Sequence, residues 1–458
     1  MKKMRQLCLL MVLLAFAFLP TAAFADEAGI GVQLNGDALQ FTDAAPVMED
    51  NRVYVPFRAV FEALNADVAY DQASNTITAE KGDTKVSFVI GNTEITVNDN
   101  AVSTDAASFV RDGRTYVPVR FAAQSLGATV GWDSNSKTVV MLDKAALQES
   151  LKGQFTLMDK FMTYSEAYSK APMAVKGTMK FDMKMADGSG EDAVMIPVSG
   201  DMVIDGINSA EVASMNMAMT LNLDELKAAL EKAGEWTEED ETMMAQMKEF
   251  DMDVIMNVKT GKMYMKSELF GMADMDGNAW YMMDLNALLA ETGMDLQALL
   301  EGANSGSYED YMMALLDTMP VNDAAGCAVL MQTIEQYQDK NFQKSGNNYV
   351  STIKDETEGV VSTMRMTLNM DGDKVIGYAQ EMSVYMGTAP LMTVKAAQNG
   401  NDVTMDMSMN MEGMMTMNLS GDMTYSATTE KPQGAPASGE TVIDLLQMAN
   451  EELAKAAA

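Results

Sequence analysis

The sequence predicts an α+β protein in which a small unit of antiparallel sheet plus helix occurs twice and is followed by a large methionine-rich antiparallel sheet with helices on one face. The first part of this prediction depends on an internal repeat. The segment that begins at Arg52 returns 62 residues later at Arg114, and such a repeat indicates one supersecondary unit used twice. The second part depends on runs in which methionine alternates with polar residues, because a period of two is typical of strands with one apolar face.

The first 25 residues have the organisation of a signal peptide. Basic residues at positions 2, 3 and 5 precede an apolar core at 7–19, and an A-x-A cleavage site at Ala23 and Ala25 precedes Asp26. No later segment has the roughly 20 consecutive apolar residues that a membrane-spanning helix needs. We therefore expect a secreted protein, extracellular or associated with the cell wall, that does not span the membrane.

Composition limits the classes of function. A length of 458 residues suggests two or three domains. The net charge of −34 argues against nucleic acid as a partner, because phosphates are bound through lysine and arginine. One of the two cysteines lies in the signal peptide, so the mature chain keeps Cys327 alone and forms no internal disulfide. We expect Cys327 to be a small buried hydrophobe.

Each repeat has the pattern of a strand, a helix and two further strands. An Arg-x-Tyr-Val-Pro run is extended, and its proline suits the start of a helix. Apolar residues recur at helical spacing up to Asn65 or Gly127, where a left-handed C-cap is expected, and an aromatic-Asp turn between alternating runs follows. The repeat signature consists of Arg52, Tyr54, Pro56, Arg58 and Asp71 in the first copy and Arg114, Tyr116, Pro118, Arg120 and Asp133 in the second.

Both copies resemble the copper amine oxidase N-terminal domain, also called the stalk domain, which is common in secreted proteins of Gram-positive bacteria. The resemblance covers about residues 30–142 and rests on the pattern Gly/Asn-Arg-x-Tyr-Val-Pro-x-Arg, the helix, the Leu-(Gly/Asn)-Ala step and the aromatic-Asp turn. It implies attachment or presentation at the cell envelope. Catalysis in the full oxidases belongs to a separate domain with three histidine ligands and a tyrosine-derived quinone. This chain has no histidine, so amine oxidase activity is excluded.

Arg58 and Arg120 recur at matched positions near the helix starts and have two interpretations. Their guanidinium groups could clamp an anion, or they close structural hydrogen bonds to the neighbouring strand, which we favour. We expect no catalytic residues, because the sequence has no P-loop, no glycine fingerprint, no G-x-S-x-G and no metal triad. The clustered oxygens at 274–278 and 369–373 lack the ligand series of an EF-hand, and we interpret them as Asp-Gly hairpins. We expect no cofactor and no metal site.

The region from 143 to 428 is predicted to form the large sheet. A connecting helix at 143–170 leads into it. Strands are predicted where methionine alternates with polar residues, at 179–185, 215–221, 364–370 and 405–411. Helices are predicted at 223–233, 238–248, 310–316 and 325–337, and a step from strand to helix at 281–290. Turns that contain glycine are predicted at 186–189, 260–262, 370–373 and 398–401.

Residues 145–428 have a weaker resemblance to the LolA/LppX-like envelope proteins. An entry helix, alternating strands, the step from Trp280-Tyr281 to Asp284-Leu285 into a helix, and further strands match that layout. The resemblance implies a strongly curved sheet that cups helices around an apolar cavity and, with that cavity, a lipid-carrier role. The lipidation cysteine of many bacterial members is missing here.

The chain contains 47 methionines, most of them in this second region, and they have three interpretations. They replace Leu, Ile and Val on a buried face; they form a deformable surface for apolar ligands; or their thioethers bind Cu(I), since an M-x-M spacing places sulfurs on one strand face. Their spread over every predicted strand, without cooperating histidine or cysteine, argues against the metal interpretation.

The sequence therefore predicts four parts: a signal peptide (1–25), a stalk-type domain (26–142), a methionine-rich domain (143–428), and a flexible spacer with a short C-terminal helix (429–458). It predicts a non-enzymatic envelope binding protein whose partners are an apolar small molecule or lipid and a cell-wall component. The alternatives are a structural or adhesion protein with a fully packed second domain, and a methionine-based copper-binding protein. A carrier needs an apolar void on the order of several hundred Å3.

Overall fold

The computed structural model describes residues 29–449 except 169, 187–194, 234–235, 274, 293–305, 319–320, 358–359 and 412. The predicted signal peptide, with its cleavage site at Ala23, Ala25 and Asp26, lies outside these residues, as does most of the turn predicted at 186–189. Strands make up 50% of the chain and helices 23%, with small sheets followed by one curved sheet of 14 strands, which confirms the α+β prediction.

The elements up to residue 142 follow the order that the repeat predicts. They are β1 (Gly31–Leu34), β2 (Asp37–Ala38), β3 (Val47–Glu49), β4 (Arg52–Pro56), α1 (Phe57–Ala63), β5 (Asp67–Asp71), β6 (Thr76–Lys81), β7 (Thr84–Val89), β8 (Glu94–Val97), β9 (Asn100–Ser103), β10 (Phe109–Arg111), β11 (Arg114–Pro118), α2 (Val119–Ser125), β12 (Thr129–Asp133) and β13 (Thr138–Leu142). Each helix begins directly after its proline. Asn65 (φ +59°) and Gly127 (φ +85°) adopt the predicted left-handed conformation.

The two repeats share one core. Strands β4 and β11 pair antiparallel in the middle of a four-stranded sheet of order β10-β11-β4-β3, where Val117 lies opposite Val55. Helices α1 and α2 contact each other, and Phe61 and Ala123, one from each helix, are fully buried in a single apolar cluster. The copies are therefore two halves of one pseudo-symmetric unit.

The remaining strands of the repeats form two more sheets, of order β5-β6-β7-β8-β9 and β12-β13-β1-β2. Strand β1 precedes both repeats in the chain, yet it completes the sheet of the second repeat by pairing parallel with β13. This parallel pair departs from the purely antiparallel sheet that we predicted. It arises because β13 has no following hairpin partner, and the first strand of the chain occupies the place that β7 has beside β6 in the first repeat.

The second region contains the long strands and most of the helices. Its elements are α3 (Lys144–Leu151), α4 (Thr156–Glu166), β14 (Met173–Ala186), β15 (Met195–Asn208), β16 (Val212–Asn222), α5 (Asp224–Ala233), α6 (Glu238–Met247), β17 (Glu249–Asn257), β18 (Lys262–Ser267), β19 (Trp280–Asp284), α7 (Leu285–Thr292), α8 (Tyr308–Thr318), α9 (Ala324–Gln336), β20 (Phe342–Ser345), β21 (Asn348–Thr357), β22 (Val360–Asp371), β23 (Lys374–Met386), β24 (Ala389–Asn399), β25 (Asp402–Met411), β26 (Met415–Ala427) and β27 (Val442–Asp444).

These strands form one open sheet in which two meanders meet. The strands β14 to β19 and β20 to β26 each follow chain order, and the antiparallel pairing of β14 with β26 joins the two meanders. All four predicted methionine-alternating strands lie inside observed strands, namely β14, β16, β22 and β25. Gly261, Gly372 and Gly400 have positive φ in the predicted turns.

Helices cover the apolar face of the sheet in two places. Residues of α3, α4, α8 and α9 pack with the buried Met366 and Leu368 of β22. Helices α5 and α6 pack with Met183 and Leu221 of β14 and β16. The closest packing between the described helices and the sheet involves β15, β17, β18, β21 and β23. Met415 and Met417 of β26 pack against the edge of the cluster that α5 and α6 cover. Among the described residues, no helix is both long enough and apolar enough to cross a membrane.

Three segments differ from the prediction. The connecting helix at 143–170 is two helices, because the chain breaks after α3 at Gly153, whose φ is +67°. The loop at 274–278 is not a tight hairpin: it belongs to the connection from β18 to β19, which includes a 3-10 helix at Glu268–Ala273. The tail forms strand β27, parallel to β19, before a helical segment at 445–449. The rest of the helix predicted up to 455 lies outside the described residues.

Candidate binding surfaces

Two arginines of the repeat signature join the copies to each other. The Nε atom of Arg52 lies 2.9 Å from a carboxylate oxygen of Asp105, and Nε of Arg114 lies 2.9 Å from Asp43. These hydrogen bonds lower the pKa of Asp105 and of Asp43 below the usual value for aspartate. Both aspartates lie in a Thr-Asp-Ala-Ala run that repeats with the same 62-residue offset. Each arginine therefore binds the aspartate of the other copy.

The tyrosines and prolines of the signature have structural positions. Tyr54 and Tyr116 are buried, and the Tyr116 hydroxyl lies 3.3 Å from the carbonyl oxygen of Ala45. The prolines Pro56 and Pro118 end β4 and β11 with φ of −57° and thereby direct the chain into the helices. Of the signature residues, the tyrosines therefore lie in the core, and Arg52 and Arg114 lie in the junction between the copies.

Arg58 and Arg120 lie exposed on α1 and α2. The guanidinium of Arg58 pairs with Glu62 of its own helix at 3.3 Å and lies over the Phe57 ring. This corrects the expectation that Arg58 would bond to the neighbouring strand; the i, i+4 spacing makes Glu62 the nearer partner. The charge of Arg120 helps to lower the pKa of Asp105.

Asp71 and Asp133 occupy the same repeat position but have different environments. Asp71 is exposed and closes its turn by accepting hydrogen bonds from Ala73 N and Ser74 Oγ. Asp133 is 6% exposed, and besides its own turn it accepts a hydrogen bond of 3.2 Å from Ala324 N, at the start of α9. Although burial raises the pKa of Asp133, the hydrogen bonds to its carboxylate outweigh burial and lower it.

Helix α9 of the second region docks on the second repeat beside Asp133. Cys327 of this helix is fully buried in a cluster with Val140 and Leu142 of β13. Gln33 Nε2 of β1 donates a hydrogen bond of 3.1 Å to the carbonyl oxygen of Ala324. Burial raises the pKa of the Cys327 thiol, as expected for a cysteine that acts as a small hydrophobe. The two regions of the chain are therefore in direct contact.

An open cleft of about 650 Å3 lies on the polar face of the large sheet. Its charged lining residues are Lys180, Asp182, Asp201, Lys395 and Asp406, and serine, threonine and asparagine side chains complete most of the lining. Lys180 and Asp201 form an ion pair of 3.9 Å across β14 and β15. Phe181, Met407 and Leu419 also contribute to the lining. The cleft has the size expected for a ligand site, but it is open and carries five charged side chains, so it is not the apolar void that a lipid carrier needs.

The opposite face of the same strands carries an apolar row that crosses the sheet. Residues paired across strands project on the same face. Successive pairings place Met364 beside Met382, then Val394, Met407 and Leu419. All five are half-buried. We call this row the apolar strip. It crosses β24 and β25, which are not among the strands that the described helices contact most closely.

Comparison with known proteins identifies the N-terminal module. Residues 33–141 match the family model of the copper amine oxidase N-terminal domain, which confirms the first resemblance. The match covers that domain of the oxidases and not their catalytic domain. No curated protein matches the chain.

A crystal structure assigned to an outer membrane lipoprotein-sorting protein domain from Vibrio parahaemolyticus is similar over 60% of this chain and 95% of its own length. The two sequences are 8% identical, and the TM-score is 0.18. At that TM-score, no conclusion about the function of this chain follows.

Two of these surfaces could not be located from the sequence. The polar cleft combines side chains of β14, β15, β24 and β25, which are far apart in the chain. The docking of α9 on β13 has a faint signal in the sequence: Val140 and Leu142 are apolar where the first repeat has Thr78 and Glu80.

Proposed function

We propose that this chain is an exported, non-enzymatic binding protein of the cell envelope. The stalk-type module of residues 26–142 presents the methionine-rich region of residues 143–428, and the apolar strip holds an apolar small molecule or lipid. The family match of the module supports a role in presentation. Its export depends on the signal peptide that the sequence predicts at residues 1–25, with localisation outside the cell or at the cell wall.

The half-buried state of the apolar strip is the observation that carries this proposal. Val394 and Met407 lie on β24 and β25, outside the strands that the described helices contact most closely, and no charged residue interrupts the row from Met364 to Leu419. Unbranched, polarizable methionine side chains adapt to ligands of different shape. Covering such a row with a ligand removes apolar surface from water, at about 25 cal/mol per Å2.

Native mass spectrometry of the mature protein, purified gently from its own host and then extracted with solvent, tests the proposal. We expect a stoichiometric apolar adduct. Replacing Met382 and Met407 by glutamine makes the strip polar and is expected to abolish the adduct. The matched control replaces the exposed Met48 and Met386, which lie outside the strip, and is expected to keep it. A wild-type protein that carries no adduct and takes up no offered lipid contradicts the proposal.

The polar cleft favours a second candidate function, adhesion to a cell-wall component by a structural surface protein. Its two lysines, three aspartates and many hydroxyl and amide groups are suited to polar wall fragments. Co-sedimentation with purified cell walls tests this function. Replacing Lys180 and Asp201 by alanine is expected to reduce binding. The matched control replaces Lys176 and Asp205, an ion pair of 2.9 Å on the same two strands but outside the cleft lining.

A further inference from the structure

Four methionines lie side by side in a second row on the apolar face of the sheet. Pairings across β24, β25, β26 and β14 place Met392 beside Met409, Met409 beside Met417, and Met417 beside Met183. Directly opposed residues in antiparallel strands have Cβ atoms about 4.5–5.5 Å apart. The flexible side chains of methionines on adjacent strands can therefore bring two or three thioether sulfurs within reach of one ion. We call these four residues the methionine row.

The two ends of the methionine row differ in burial. Met183 is 4% exposed and packs in the cluster that α5 and α6 cover, whereas Met392 and Met409 at the other end are only half-buried. A further row, formed by the paired Met185, Met415 and Met411, lies two residues away on β14, β26 and β25. The row is therefore packed at the Met183 end and partly accessible at the Met392 end.

We propose that the methionine row is a binding site for Cu(I). Thioether sulfur is a soft ligand and selects soft Cu(I) over hard cations such as Mg²⁺ and Ca²⁺. The chain has no histidine, and its remaining thiol, Cys327, is buried against the second repeat far from this row in the chain. Within the described part of the chain, no cluster of three or more His, Cys, Asp or Glu offers a competing site. This inference is independent of the proposed apolar ligand, which uses a different row.

The spread of methionines over all strands argues against metal when only the sequence is known. The strand order removes that objection, because β24, β25, β26 and β14 are neighbours although residue 183 and residue 392 are far apart in the chain. A thioether also carries no proton at ordinary pH. Binding at the methionine row is therefore independent of pH, in contrast to sites built from histidine, cysteine or carboxylate, whose ligands must first lose a proton.

Competition against a chromophoric Cu(I) chelator, under anaerobic conditions and with the full mature chain, tests the site. We expect the protein to retain Cu(I) equally at about pH 5.5 and about pH 7.5, which lie below and above the usual histidine pKa. X-ray absorption spectra are expected to show a ligand shell of sulfur alone. Oxidation of the methionines to sulfoxides, which removes the thioether ligands, is expected to abolish retention.

Paired variants make the test specific. Replacing Met409 and Met417 by leucine keeps the volume and the apolar character of the row and is expected to weaken Cu(I) retention at least about tenfold, the scale on which metal sites respond to altered ligand environments. The matched control replaces Met215 and Met282, neither of which is paired across strands with another methionine. The proposal is overturned if the wild type retains no Cu(I), or if both variants lose it equally. Loss of Cu(I) with an unchanged apolar adduct separates this site from the apolar strip.

Discussion

Asp71 and Asp133 show how one repeat position acquires two roles. In each copy the carboxylate closes the turn between two strands by accepting hydrogen bonds from the residues that follow. Only Asp133 also reaches Ala324 at the start of α9, and only Asp133 is buried. A buried acceptor costs free energy when its partners are lost. We therefore expect the two positions to respond differently to the same substitution.

The substitution Asp133→Ala is expected to destabilise the protein by about 1.5–3 kcal/mol, the range for hydrogen bonds to charged groups, and Asp71→Ala is expected to cost less. The folded-state pKa of Asp133 lies below its unfolded value. Its contribution is therefore complete above the unfolded pKa of about 3.9 and is lost as the pH falls through the folded value. Urea unfolding at several pH values measures the difference. A wild-type advantage that grows on acidification contradicts this assignment.

At the residue scale, the sequence predicts conformation better than partners. The left-handed residues Asn65 and Gly127 could be predicted because a helix end imposes a local requirement. The partners of Arg52 and Arg114 could not, because each bond crosses to the other copy and depends on how β4 and β11 pair. Side-chain partners are set by the relative position of elements, which local spacing does not determine.

Helix α9 docks on the second repeat because that repeat differs from the first at three positions. The first repeat has Ala69, Thr78 and Glu80 where the second has Gly131, Val140 and Leu142. The valine and leucine are buried against α9. A Cβ atom on residue 131 would lie 1.8 Å from the carbonyl oxygen of Val321, so only glycine allows the approach. The equivalent face of the first repeat cannot accept the same helix.

The substitution Gly131→Ala is expected to separate α9 from the second repeat. Cys327 is fully buried in this contact and is the single cysteine outside the predicted signal peptide. Its rate of reaction with a thiol reagent therefore reports the docking. We expect a rate increase of at least about tenfold for Gly131→Ala, equivalent to about 1.4 kcal/mol of lost protection. The control Ala69→Gly, at the same position of the first repeat, is expected to leave the rate unchanged. Equal rates for all three proteins contradict the role assigned to Gly131.

At the element scale, the sequence predicts long strands with one apolar face but not their neighbours. Period-two alternation gives the face on which each methionine lies. It does not give the pairing of β14 with β26, which brings the first and last long strands together. The methionine row depends on that pairing, and both rows depend on the register of their strands, because a shift by one residue moves every side chain to the opposite face. The apolar strip and the methionine row could therefore be located only in the folded sheet.

The C-terminal segment of the chain, from residue 429, packs along the edge of the large sheet. Residues 429–440 bond to three successive strands: Gln433 N donates to Ser214 Oγ at 3.1 Å, Asn257 Nδ2 donates to Gly434 O at 2.9 Å, and Lys266 pairs with Glu440 at 3.1 Å. Strand β27 then covers the free edge of β19. The proline and glycine content of this segment predicts a flexible spacer, and the hydrogen bonds above show where it contacts the sheet. Residues 429–440 follow the edge of the sheet without forming a helix or a strand.

Removal of residues 429–458 is expected to uncover the edge of β19. Trp280 begins this strand, is 5% exposed, and pairs through its backbone N–H with Thr441. Lys266, held by Glu440, lies over its ring. An edge strand without a partner presents unpaired backbone groups to solvent, so Trp280 should gain contact with water. We expect the tryptophan emission of the truncated protein to move to longer wavelength.

The same truncation made in a Trp280→Phe background should produce no such shift, since the other two tryptophans lie outside this edge. An unchanged emission spectrum in the truncated wild type would mean that the tail does not protect β19.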